Sequence, residues 1–181
     1  MEAMITPNEL AERGKQAYEQ GAFREAAQHF EKAALAYQAL NDELNAAEMR
    51  NNASVAWLRA DFPEKALASA QGSETVFAKV GDLRRQGIAL GNQAAALEAL
   101  GQVMEALSLY RQAADALKTA GENEFYGIVM QRIAALQVQQ GKRLEALFSM
   151  EAALENKPHL SPREQTLKSL IGTVRRVMGL R

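Results

Sequence analysis

Cysteine is absent from this 181-residue chain, which excludes a disulfide framework, a thiolate zinc site and a cysteine nucleophile together and fits a reducing compartment. Long apolar runs are also missing: no stretch approaches the roughly 20 residues that span a bilayer. The first thirty residues, which include Glu2, Glu9, Glu12, Arg13 and Lys15, hold no apolar core of signal-peptide length. A soluble, cytoplasmic protein is expected. Neither sign of charge is in excess, with 21 Lys plus Arg against 22 Asp plus Glu, so no basic field draws the chain to nucleic acid. Histidine is reduced to His29 and His159, far apart in sequence, and neither has a second histidine nearby with which to share a metal. No metal and no cofactor are expected.

Catalytic signatures are lacking in the same way. "GKQ" and "GKR" have neither the hydroxyl residue after lysine nor the upstream glycine of a phosphate-binding loop, and no dinucleotide fingerprint or nucleophile elbow occurs. The carboxylates are interleaved with Lys and Arg as on solvated helix faces, so no acid and base pair stands out. The chain reads as a non-enzyme.

Proline is scarce, with four residues, in a chain rich in Ala, Leu, Gln and Glu, all strong helix formers. An all-helical fold follows. Ala26, Phe30, Ala33, Tyr37 and Leu40 recur at steps of four, three, four and three, which places them on one helical face. The same steps return 40 residues later at Ala66, Ala70, Ser73, Phe77 and Val80, and again at Ala106, Tyr110, Ala113, Leu117 and Ala120. Gly21, Asp61, Gly101 and Gly141 mark the break before each copy, and Asn41, Gly81 and Gly121 stand where a left-handed residue closes a helix. Asp42 and Asp82 follow as N-caps. A second helix fills each period, so the unit is a helical hairpin that must pack on its neighbours to bury its apolar face.

The pattern of a small residue in the first helix followed by Gly, Ala, an aromatic and Ala resembles the tetratricopeptide repeat. It reads Gly14, Gly21, Ala26, Phe30, Ala33, then Ser54, Asp61, Ala66, Ala70, Ser73. The third and fourth copies are Ala94, Gly101, Ala106, Tyr110, Ala113 and Ala134, Gly141, Ala146, Met150, Ala153. The 40-residue period is similar to the longer-helix variety of kinesin light chains and bacterial peptide-sensing regulators, with Phe77 and Leu117 filling the added turns. The family's closing proline appears only as Pro158. The resemblance implies a right-handed α-solenoid in one domain, residues 1–181, with repeats at about 6–41, 42–81, 82–121 and 122–160.

Ser161, Pro162 and Glu164 form an N-cap, a first-turn proline and a capping-box partner, so a ninth helix is expected over 161–179. Leu167, Leu170, Ile171, Val174, Val177 and Met178 make its apolar stripe, which would cap the last hairpin. Residues 161–181 also hold five basic residues against one acidic, leaving a net of −5 on the rest. The helix is therefore a cap, or a cap that also touches an acidic partner or a membrane surface.

In tetratricopeptide arrays the first helices line the concave side, and the resemblance implies a groove there for a peptide or a partner's helix. Glu12, Asn52, Asn92 and Arg132 share one register position. The long-repeat relatives favour Asn at it, where an amide both donates to and accepts from a ligand backbone; the plainer reading makes both amides solvent-facing. Lys15 and Tyr18, then Asn51, Val55, Leu58 and Arg59, belong to the same face in the first two copies. Ile88, Gly91 and Ala95, then Ile128, Gln131, Ala135 and Val138, follow in the next two. Apolar groups there would bury ligand side chains, and Arg132 would meet a carboxylate. A clamp for two carboxylates is excluded, since Lys15 finds only Ile88 and Asn92 on the third hairpin. Trp57, the sole tryptophan, reads as core. The expected function is a protein-binding adaptor, and the alternative is a scaffold or homodimer joined through its end helices.

Overall fold

A computed structural model describes residues 5–155, 157 and 159–179. Its described elements are α1 (Pro7–Glu19), α2 (Phe23–Ala39), α3 (Glu43–Arg59), α4 (Pro63–Ala70), α5 (Ser73–Lys79), α6 (Leu83–Ala99), α7 (Val103–Thr119), α8 (Asn123–Gln139), α9 (Arg143–Glu155) and α10 (Pro162–Val177). The chain is an all-α solenoid of antiparallel helix pairs in which α1, α3, α6 and α8 are the first helices and α2, α4 with α5, α7 and α9 the second.

Punctuation falls where the sequence places it. Gly21, Asn41, Asp61, Gly81, Gly101, Gly121 and Gly141 all adopt positive φ, one at every hairpin turn and every 20 residues. After each of them the next amide donates back to the carbonyl five residues earlier, as Ala22 does to Ala17 at 2.8 Å and Lys142 to Gln137 at 2.9 Å. This Schellman closure satisfies carbonyls that the helix end would otherwise leave open. Asp42 accepts from the amide of Asn45 and Asp82 from that of Arg85, as N-caps do. Thr6 and Glu9 close a capping box on α1, and Ser161 and Glu164 close the expected one on α10.

Small residues let the helices approach. Ala26, Ala33, Ala66, Ala70, Ser73, Phe77, Ala106 and Ala113 are all fully buried at 0% exposure. Gly14 leaves room for Phe30, whose ring carbons would lie 2.7 Å from an added Cβ. One large cluster joins α1 to α4, a second joins α6 to α9, and Leu67 packs on both. Trp57 is buried as expected, with its indole N–H donating to Glu31 at 2.7 Å.

Three expectations are corrected. The second helix of the second hairpin is not continuous: Gly72 at φ 82° breaks it into α4 and α5, giving ten helices rather than nine among the described residues. The freed Ala70 carbonyl accepts from the buried Gln93 amide at 3.3 Å, which also donates to Glu74 at 2.5 Å. The stripe's last members, Leu40, Val80 and Ala120, sit at helix ends and are exposed. On α10 only Ile171 is buried, and the helix packs chiefly on α9, so its cap is partial. Pro158 lies outside the described residues.

Candidate partner-binding groove

The first helices bring many of the expected residues together, divided among three hollows rather than spread along one ladder. Lys15, Tyr18, Asn52 and Val55 line a hollow of about 360 Å³ between α1 and α3, with Glu19 and Phe30 beside them. Lys15 is already paired there, its ammonium 2.6 Å from Glu12, and that hydrogen bond raises its pKa.

Leu58, Ile88, Asn92, Ile128 and Arg132 come together in a larger cavity of about 610 Å³ between α6 and α8. Gly87, Gly91, Ala95, Phe125 and Val129 also line it, and Tyr110 and Leu117 of α7 reach it. Gly91 has only Val129 within reach of an added Cβ, at 3.8 Å, an ordinary contact. No packing demand explains that glycine, which lies on the cavity lining. At one end Arg132 makes two hydrogen bonds to the Glu98 carboxylate, one of them through Nε at 3.1 Å, and the Tyr110 hydroxyl donates to the same carboxylate at 2.9 Å. Burial, and then the nearby Glu98 charge, push the Tyr110 phenol well above its ordinary pKa, while the Glu98 hydrogen bond raises that of Arg132.

Arg132 was expected to offer its guanidinium to a ligand carboxylate; two of its N–H groups instead serve Glu98 of its own chain. Asn92 was expected to work in phase with Asn52; its amide donates to Asn51 at 2.8 Å, and Asn52 lies in the other hollow. Asn51 is accordingly buried between α3 and α6. Arg59 lies over the Phe23 ring at 5.1 Å and lines none of the three hollows. Gln131 and Ile128 line the third hollow, of about 410 Å³, with Lys157 and His159. Val138 and Ala135 are exposed outside all three.

Glu98, Tyr110 and Phe125 were not singled out beforehand as groove residues. Glu98 had a signal, since it occupies the register of Tyr18, Leu58 and Val138, 40 residues from each neighbour. Among the described residues no three or more His, Asp or Glu side chains gather as a metal ion would need, and no helix is long and apolar enough to cross a membrane.

Residues 9–159 match the protein family described as SNAP, soluble NSF attachment protein. The fold is similar to that of BtubC (BKLC) from P. vanneervenii, with a TM-score of 0.73 over 95% of this chain and 72% of that one. At 15% sequence identity the likeness is one of fold alone. No curated protein matches the chain in sequence.

Proposed function

This chain belongs to the soluble NSF attachment protein (SNAP) family, and we propose that it is a non-catalytic cytoplasmic adaptor that holds a peptide or a partner's helix on its concave face. Residues 1–181 would act as one domain, with the 40-residue period following the long-helix variety of the repeat. The observation that carries this reading is the cavity between α6 and α8. It is apolar along Leu58, Ile88, Ala95, Phe125 and Ile128 and polar at the Glu98, Tyr110 and Arg132 end. Binding sites for organic side chains have this composition, an apolar chamber with a few fixed polar groups. At about 610 Å³ the cavity accepts a large apolar side chain. Asn52 and Val55 in the first hollow and Gln131 in the third then meet the flanking segments of the ligand.

Selection of a peptide library on the immobilised chain tests this. Enriched peptides should share a bulky apolar anchor and should bind Gly91→Leu, whose side chain fills the cavity, at least about tenfold more weakly. Equal binding to wild type and Gly91→Leu would remove the cavity from the site. The alternative, a scaffold self-associating through its end helices, draws on the exposed apolar residues of α10. It would show as a concentration-dependent dimer that Gly91→Leu leaves intact.

A further inference from the structure

Away from the groove, we propose that the hollow between α2 and α4 is a second binding site, one that takes an acidic side chain of a partner peptide together with an apolar neighbour. The hollow measures about 560 Å³ and shares no lining residue with the other three. Arg50 and Trp57 of α3 line it, flanked by Ala34 and Leu35 of α2 and Ala68 of α4. The facing wall is short: α4 ends at Ala70, and beyond the break at Gly72 α5 packs on α3 and α6, so α2 runs on past it. Leu35 is 67% exposed and Ala68 is exposed, which leaves both apolar walls open to a ligand.

Arg50 departs from its repeat. The residues in register with it on α1, α6 and α8 are Leu10, Leu90 and Met130, so the junctions between hairpins accept an apolar side chain at that position and do not call for a cation. The fold does little to satisfy the guanidinium: its Nε is shielded from solvent without an acceptor, and Glu43 stands 3.8 Å away, beyond hydrogen-bond reach. A buried N–H left unpaired costs stability, so Arg50 is retained at the expense of the fold. At the other end of the hollow Glu31 is engaged, accepting from the Trp57 indole at 2.7 Å and from the Ser69 hydroxyl at 3.4 Å. Lys65 also lines that end, with its ammonium 4.3 Å from the centre of the Trp57 ring. Glu31 and Lys65 balance one another there, while Arg50, about 10 Å along α3 from Trp57, sets the sign of charge at its own end. A carboxylate meets a guanidinium through paired hydrogen bonds and matches its single charge, whereas a phosphate dianion would keep a charge unmet. Leu35, Ala34 and Ala68 then receive the apolar side chain beside that carboxylate.

Trp57 is the sole tryptophan, so its emission reports occupancy of this hollow. The probes are short tryptophan-free peptides of alternating Glu and Leu, blocked at both ends, compared with their Gln and Leu counterparts in titrations against the full chain. The glutamate peptide should shift Trp57 emission in a saturable, salt-sensitive way, and the glutamine peptide should bind at least about tenfold more weakly. Arg50→Leu, which installs the side chain found at Leu90, should weaken the glutamate peptide at least about tenfold while leaving the urea midpoint unchanged or higher. Ala68→Phe, which copies Phe148 from the same register of the fourth hairpin, should block the hollow with the same loss of binding. Gly91→Leu should leave this binding unaltered, which separates its outcome from that of the groove. Equal binding of the two peptides, binding that survives Arg50→Leu, or an emission that ignores the glutamate peptide overturns the proposal. So does a response to inorganic phosphate, or to a glutamine peptide with a free C-terminal carboxylate, that exceeds the response to the glutamate peptide.

Discussion

The junction between α3 and α6 and the junction between α6 and α8 are built from the same register positions and differ in several side chains, Asn51 giving way to Gly91, Leu58 to Glu98 and Asn92 to Arg132. At the first, Asn51 fills the space between the helices and accepts a hydrogen bond from Asn92 at 2.8 Å. At the second, the equivalent position 40 residues on is Gly91, and a cavity of about 610 Å³ stands there. In a repeat architecture the side chains at each register position therefore help to open or close a chamber, because contacts between hairpins are set locally. Gly87, one turn earlier on the same helix, teaches the converse. An added Cβ there would meet Leu117 Cγ at 2.6 Å and the Ala113 carbonyl oxygen at 3.2 Å, so Gly87, which lines the same cavity, is fixed by packing and Gly91 is not.

The largest expected effect comes from exchanging those two glycines in turn. Gly87→Ala forces the buried Leu117 against its neighbours and should destabilise the fold by about 1–3 kcal/mol. Gly91→Ala removes only the backbone freedom of the unfolded chain and should stabilise by about 0.5–1 kcal/mol. Urea denaturation midpoints at constant slope measure both. Opposite signs sustain the distinction, and two losses of equal size would abolish it.

Next in size is conversion of the closed junction into an open one. Asn51→Gly deletes the hydrogen bond to Asn92 and places glycine in a helix interior, a loss of about 1.5–2 kcal/mol. It should also free the Asn92 amide, and a variant structure should show a new hollow between α3 and α6. A site that collapses instead would mean that the cavity beside Gly91 depends on more than the missing side chain.

Much of this fold is legible in the sequence, because helix ends announce themselves through Gly, Asn and Asp at a fixed period and the alanine stripes repeat in phase. The break at Gly72 was hidden because Ala66, Ala70, Ser73 and Phe77 keep their buried spacing across it, and Gln93, 23 residues from Ala70, supplies the lost hydrogen bond. The groove was legible as a face and not as a site. Register identifies which residues share a side, but it does not say that Arg132 will turn to Glu98, 34 residues away, or that Asn92 will choose Asn51 over the ligand. Those choices depend on side-chain reach across a helix junction, where a displacement of one residue exchanges a free group for a paired one. The thin seating of α10 was illegible for a related reason: six apolar residues at helical spacing show a stripe, and only the width of the neighbour shows how much of it is covered.

The smallest expected effect sits at the polar end of the open junction. Tyr110→Phe removes one hydrogen bond to Glu98 and should cost about 1 kcal/mol, with Arg132 still holding the carboxylate. The phenol's own titration gives a sharper reading of the same contact. Burial first, and the Glu98 charge second, raise the Tyr110 pKa above its ordinary 10.0, so the folded state holds that proton more tightly than the unfolded chain does. The associated stability is present in full below pH 10 and declines as pH rises toward the folded value. In a tyrosinate absorbance titration a late step should persist until the fold gives way, and Tyr110→Phe should delete it. Glu98→Gln should bring the late step to lower pH by removing the charge while leaving the burial. A lag unchanged in Glu98→Gln would assign the whole shift to burial and leave the carboxylate no part in tuning the chamber's polar end.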